Sequence, residues 1–187
     1  MTPQPILPAL LDSTMLTAFR SCPRKFYHEF VLGLRPQGTS VDLHAGGCFA
    51  TALEVVYKEI WENSRALPDA LLRAHAAFMI AWGDFIPIKD TPKTRERVWE
   101  AVEDYFRTYT PHTDHVQPFV GASGKPTFEF TFAIPLEMEG FPLHPVSKEP
   151  FIYGGRFDML GHYQGKPIWK DDKTAKAARG TATSAPI

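Results

Sequence analysis

The sequence predicts an α+β (mixed α/β) fold, in which N-terminal helices precede an antiparallel β-meander. Apolar residues recur at helical spacing up to residue 109, aromatic residues begin to alternate at residue 127, and no repeating βαβ pattern is visible. The 187 residues are 44% hydrophobic and 22% charged, as in a globular protein of about one domain.

Helices are predicted after an extended arm. Three prolines in the first twelve residues remove amide donors and fix φ, which predicts the arm over residues 1–12. Capping residues, or prolines near the first turn, then mark the start of each apolar stripe, with Asp42 or His44 opening the third helix. The helical region, 13–109, has predicted helices at 13–22, 23–33, 42–60, 68–82 and 92–109.

The second half of the chain predicts a sheet. Residues 110–126 are rich in Thr, Pro, Gly and His and are predicted to be a loop. Strands are predicted at 127–136, 151–163 and 167–173, with a turn at 164–166, so the sheet region is 127–174. We expect a single domain over residues 13–179 and a disordered tail over 180–187.

Charge and cysteine content exclude several classes of protein. Lysine and arginine total 20 and aspartate and glutamate total 21, so any nucleic-acid partner would need a local basic patch. Two cysteines, Cys22 and Cys48, cannot form a disulfide-rich secreted scaffold. No apolar run reaches membrane-spanning length and no signal-peptide pattern is present, so we expect a cytoplasmic protein without a membrane partner.

The predicted hairpin carries the residues with the clearest chemical meaning. Asp171 follows Asp158 by 13 residues and can meet it across adjacent strands, while Lys173 shares a strand face with Asp171. Two carboxylates that hold Mg²⁺ beside a lysine suit phosphodiester hydrolysis, because the ion activates a water and neutralises phosphate charge. A solvated strand end, with Lys173 paired to Asp171 or Asp172, explains the same spacing.

Three motifs resemble a known family. They are Gly-x-x-Asp followed by Asp-x-Lys-Thr in the hairpin, Ser21-Cys22-Pro23-Arg24-Lys25-Phe26-Tyr27, and Gly46 followed by Leu53-Glu54. Together they resemble the PD-(D/E)XK nuclease superfamily, specifically its RecB-like branch. The short architecture, with Phe128-Glu129-Phe-Thr-Phe on the first strand, is most similar to phage or prophage members. Glu129 either faces the site or is a charge on the solvent face.

The resemblance implies a set of site residues. Asp158 and Asp171 would be metal ligands, with the carbonyl of Asp172 as a third, and Lys173 would be the catalytic lysine. Glu54 is the helix carboxylate that many members place beside the metal, and Ala50 stands where the family has a histidine. Residues 50 and 54 are one helical turn apart, so Glu54 could reach the ion directly or through water.

The resemblance also implies cofactors and a substrate. Mg²⁺ is the expected cofactor and Mn²⁺ could substitute. An iron–sulfur cluster is excluded because only Cys22 is placed for it, whereas four thiolates are needed. The implied function is a DNA exonuclease or a recombination or repair nuclease, with a recombination protein or helicase as a further partner. The candidate phosphate contacts are Arg20, Arg24, Lys25 and Lys170.

Family members continue past Asp-x-Lys-Thr with a helix and a strand, whereas 14 residues follow Lys173 here. We therefore expect a restriction-endonuclease-like core that lacks its C-terminal helix and strand. Two alternatives stay open. The chain could be a catalytically inactive DNA-binding remnant of the same fold, or a structural α+β adaptor whose charges are incidental.

Overall fold

A computed structural model describes residues 7–34, 38–87 and 91–172. Helices dominate the first part of the chain and strands the last part, so the predicted α+β class is confirmed. The described residues divide into two compact units: the first lies within 1–38 and 131–156, the second within 39–130 and 157–187. Lys173 and the predicted tail lie outside the described residues, and the single domain over 13–179 stays a prediction.

The first unit begins with two short helices, α1 (Ser13–Ser21) and α2 (Pro23–Phe26), which continue into a π-helical turn. Asp12 caps α1 because its side chain accepts a hydrogen bond from the Met15 amide at 2.7 Å. Pro23 has no amide hydrogen and starts α2 at its first position, as predicted. The predicted stop at Gly33 is also confirmed, since its φ of 67° is left-handed.

A short strand, β1 (Leu10–Leu11), pairs in parallel with the start of the long strand β4 (Ile152–Tyr163). The predicted arm therefore includes a strand that periodicity did not indicate. His144 is buried next to this segment; its Nδ1 accepts from the Ser147 amide at 3.1 Å, so Nε2 carries the hydrogen that is donated to the Leu7 carbonyl at 2.8 Å. This imidazole ties the chain before β1 to the loop before β4.

The second unit contains the three long helices of the protein's described residues, and their starts follow from their caps. The side chains of Ser40 and Thr94 accept amide hydrogen bonds at the starts of the first and third helix. The first therefore begins at Val41, one residue before Asp42, and the third begins three residues later than predicted. The three are α3 (Val41–Trp61), α4 (Leu67–Trp82) and α5 (Arg95–Thr108).

The core of the second unit lies where α3 packs against α4 and α5. Residues of α3 at spacings of three and four are buried, as the predicted apolar stripe requires. None of the described helices combines the length and apolar character needed to cross a membrane. The largest fully buried side chains are Phe78, Phe106, Met159, Val56 and Val102.

The sheet of the second unit is built on the end of β4. Strands β2 (Val116–Pro118) and β5 (Lys166–Lys170) both pair antiparallel with β4. Strand β3 (Phe128–Pro135), of which residues 131–135 belong to the first unit, also pairs with β4. The predicted hairpin is confirmed. Its two-residue turn has positive φ at both residues, 50° at Gln164 and 77° at Gly165, as a type I′ turn requires. The predicted loop over 110–126 is wrong at residues 116–118, which form β2. Strand β5 ends at Lys170, before the predicted end at residue 173.

Gly161 is required where β2 pairs with β4. It pairs with Pro118, and a Cβ added to it would overlap the backbone carbonyl of Gln117. We predict that Gly161→Ala lowers the free energy of unfolding by about 1–3 kcal/mol in chemical denaturation, because the backbone has no room to move aside.

Gly47→Ala is the matched control for Gly161→Ala. Gly47 lies on α3 with no described neighbour near a new Cβ. This substitution should raise the free energy of unfolding by about 0.5–1 kcal/mol, because alanine favours a helix. An unchanged denaturation midpoint for Gly161→Ala would contradict the close approach of Gly161 to the backbone carbonyl of Gln117.

Candidate functional site

A small cavity lies in the second unit between α3, the start of β3 and the end of the β4–β5 hairpin. The cavity has a volume of about 20 Å³, which is room for about one water or small ion. Half of its lining residues are acidic, so the cavity presents carboxylate oxygens. The lining residues are Ala50, Leu53, Glu54, Tyr57, Phe128, Glu129, Asp158 and Asp172.

Helix α3 brings Glu54 to the cavity, with Ala50 one turn earlier on the same face, and the role of Glu54 beside a metal stays a prediction. The Glu54 carboxylate accepts a hydrogen bond from the Lys58 ammonium, one turn later, and these side chains are 32% and 43% exposed. This hydrogen bond raises the pKa of Lys58 above its ordinary value. Glu54 therefore lines the cavity, but its negative charge is paired with the ammonium of Lys58.

The hairpin brings Asp158 and Asp172 together. The backbone amide of Asp172 donates a hydrogen bond to Oδ2 of Asp158 at 2.7 Å. Continuation of the strand register would place Asp171 opposite Asp158, but β5 ends one residue earlier. Asp171 is exposed and lies outside the residues that line the cavity in the part of the chain that the structure describes. Its role as a ligand stays a prediction, as does that of Lys173.

Glu129 also faces the cavity, which settles its orientation. Neighbouring residues of a regular strand point to opposite faces, yet Phe128 and Glu129 both line this cavity. The backbone of Glu129 has a φ of 51°, a left-handed conformation that is uncommon for residues other than glycine and that breaks the alternation. This local irregularity places a further carboxylate at the site.

The side chain of Lys170 is bound inside the second unit. Its Nζ donates hydrogen bonds to the hydroxyls of Tyr57, at 3.0 Å, and of Tyr105. Nζ also lies 5.9 Å from the ring centroid of Tyr109, within the range of cation–π attraction. The sequence suggested a phosphate contact for this ammonium, which here donates hydrogen bonds to two tyrosine hydroxyls.

Two carboxylates balance the charge of Lys170. Its Nζ lies 3.6 Å from Oδ2 of Asp114 and 3.8 Å from Oδ1 of Asp172, and the Lys170 side chain is 17% exposed. Oδ1 of Asp172 also accepts a hydrogen bond from the Tyr105 hydroxyl at 3.1 Å. This largely enclosed cation thus lies directly beside a residue of the cavity, Asp172.

Burial and charge shift the pKa values in this network. Burial lowers the pKa of Lys170, but Tyr57 and the carboxylates of Asp172 and Asp114 outweigh it and raise the pKa above its ordinary value. Burial raises the pKa of both Tyr57 and Tyr105, which keeps their hydroxyls neutral. Burial also raises the pKa of Asp172, and Lys170 and Tyr105 oppose this shift.

Sequence reasoning missed the tyrosines and Asp114. Tyr57 and Tyr105 lie within the predicted helices 42–60 and 92–109, and Asp114 lies within the predicted loop over 110–126. The available signal was tyrosine in place of phenylalanine at a buried position, Tyr57, and at a half-buried one, Tyr105, because a phenol withdrawn from water needs a hydrogen-bond partner. Their partner lies 113 residues from Tyr57 and 65 from Tyr105, so local patterns could not identify it.

The other candidate phosphate contacts lie in the first unit. Arg20 is exposed on α1, and Arg24 and Lys25 are exposed on α2. Lys25 lines a groove that is rich in hydroxyl groups from Ser13, Thr14, Thr17 and Ser21. Their contact with phosphate stays a prediction.

The donor chemistry of the cavity fits a hard divalent cation, since Mg²⁺ prefers carboxylate and carbonyl oxygens. Within residues 7–34, 38–87 and 91–172, however, no group of three or more His, Cys, Asp or Glu side chains is arranged to hold a metal ion. Glu54 is bound to Lys58, and Asp158 is bound to the Asp172 amide. The ligand types are present, and metal binding would require these contacts to be shared or exchanged.

Comparison with known families agrees with the mixed α+β fold. The family model of the PD-(D/E)XK nuclease superfamily matches residues 13–185. No curated protein and no solved structure matches the chain. The match spans most of the sequence, including the carboxylate-lined cavity and the Asp-x-Lys-Thr motif. The chain therefore belongs to the PD-(D/E)XK nuclease superfamily, whose members are generally nucleases that use divalent metals.

Proposed function

We propose that this protein is a Mg²⁺-dependent DNA nuclease of the RecB-like branch. It would act as an exonuclease or a recombination or repair nuclease of phage or prophage type, with a recombination protein or helicase as partner. The observation that carries the proposal is the carboxylate-lined cavity in a chain of this superfamily, where Glu54 and Asp158 lie together. Four carboxylates would repel a phosphodiester, so an anionic substrate needs a cation there.

The residues that would hold the cation are Asp158, Asp171, Glu54 and the carbonyl of Asp172. When bound, Mg²⁺ supplies a water of lowered pKa and neutralises charge on the scissile phosphate. Asp158 is oriented for this by the Asp172 amide. Lys173 would donate a hydrogen bond to the phosphate or to the attacking water. Arg20, Arg24 and Lys25 would bind the DNA backbone without reading its sequence.

A catalytically inactive DNA-binding protein of the same fold is the second candidate. Two observations favour it: Ala50 replaces the family histidine, and Glu54 is bound to Lys58. Such a protein would bind DNA equally well with and without Mg²⁺ and would leave it uncut. Cleavage assays therefore separate the two candidates directly.

We predict that Asp158→Asn lowers Mg²⁺-dependent DNA cleavage by roughly 100-fold or more, because it removes a charged metal ligand. Rates are measured on linear, circular and single-stranded DNA with Mg²⁺, with Mn²⁺ and with a chelator. Chelation should abolish cleavage by the wild-type protein. Asp84→Asn, which changes an exposed aspartate of the same unit, should keep the wild-type rate. Equal rates for the two variants would refute the role of Asp158.

Lys58→Met should strengthen Mn²⁺ binding by about two- to fivefold, because it removes an ammonium that competes for Glu54 and that repels a cation. Isothermal titration calorimetry measures the dissociation constant without any need for cleavage. Lys166→Met removes an exposed lysine of β5 and should leave the constant within about twofold of wild type. Weaker Mn²⁺ binding by Lys58→Met would show that Lys58 does not compete with the metal for Glu54.

A further inference from the structure

The hydrogen atoms of the Lys170 network can be assigned from its geometry. Tyr105 has one hydroxyl hydrogen, which it donates to the carboxylate of Asp172. The bond of 2.8 Å between the hydroxyls of Tyr57 and Tyr105 must then be donated by Tyr57. The oxygens of Tyr57 and Tyr105 both accept from the Lys170 ammonium. Every hydroxyl is satisfied, and the network has one direction, from Lys170 to Asp172.

Asp172 is held at two points by this arrangement. Its side chain is bound to Tyr105 and lies beside Lys170, while its backbone amide donates to Oδ2 of Asp158. A shift of the Asp172 side chain would therefore move the amide that orients Asp158. It would also move the Asp172 carbonyl, which belongs to the same residue. The network thus reaches the proposed ligands through covalent bonds and a single hydrogen bond.

We propose that Lys170, through Tyr57 and Tyr105, is a positioning residue that fixes Asp172 and thereby the metal-binding arrangement of Asp158. This inference rests on the proposed function, since it concerns the same site. Lys170 follows the rule that groups behind a metal ligand orient it, and loss of such a group typically lowers metal affinity about 10- to 100-fold. Lys170 itself does not line the cavity.

The sign of the effect separates positioning from simple electrostatics. Lys170 is a cation close to a proposed cation site, so through-space repulsion alone predicts that its removal strengthens metal binding. Loss of positioning predicts the opposite, because Asp172 and Asp158 would no longer be held. A Lys170→Met variant keeps most of the aliphatic chain and removes only the ammonium, so it distinguishes these two predictions.

The experiment measures Mn²⁺ dissociation constants by calorimetry for the full chain and three variants. Lys170→Met removes the cation, and Tyr105→Phe keeps the ring but removes the hydroxyl that binds Asp172. Lys166→Met is the matched control, since it removes an exposed lysine from the same strand. Circular dichroism first confirms that each variant is folded, and DNA cleavage is measured in parallel.

We expect Lys170→Met and Tyr105→Phe each to weaken Mn²⁺ binding by about tenfold or more, and Lys166→Met to stay within about twofold of wild type. Unchanged or tighter binding in the folded Lys170→Met variant overturns the inference. If that variant does not fold, Tyr105→Phe decides alone, and wild-type affinity there overturns it. If the wild-type protein binds Mn²⁺ but does not cleave DNA, the proposed nuclease activity is refuted. The Mn²⁺ affinities of the variants then still test the positioning role of Lys170. A wild-type protein that binds no Mn²⁺ overturns the inference.

Discussion

The Lys170 side chain is only 17% exposed, and a charge largely withdrawn from water is tolerated only when it is both paired and hydrogen-bonded. Three separate segments supply its partners. Tyr57 comes from α3, Tyr105 from α5, and Asp114 from the segment that precedes β2. All three must occupy fixed positions around one cation of β5. The requirement to compensate this charge therefore ties the helices of the second unit to its hairpin.

The same requirement determines where the cavity forms. Tyr57 and Glu54 are three residues apart on α3 and share a face, so a helix placed to bind Lys170 also carries Glu54 to the hairpin. Core side chains such as Phe106 hold α3 in this position by apolar packing. A buried ionic network is a poor measure of added stability, because its charges lose their hydration. Here the network fixes the relative positions of the helices and the hairpin that it joins.

Local signals in the sequence account for much of the fold. Proline and capping residues gave the helix starts to within three residues, and Gln164-Gly165 gave the turn of the hairpin. Strands β1 and β2 escaped prediction because they are only two and three residues long and one contains Pro118. Each is a strand only because β4 supplies its hydrogen bonds, and Gly161 leaves room for β2.

The sequence by itself determined the α+β class, the hairpin, the helix that carries Glu54 and the motifs of a nuclease superfamily. These features depend on residue type and spacing within short segments. Only the tertiary structure decided that Lys170 binds two tyrosine hydroxyls and that Asp172, rather than Asp171, lines the cavity with Asp158. The direction of a side chain at a strand end depends on where pairing stops and on what packs against each face. Both are set by residues distant in the chain.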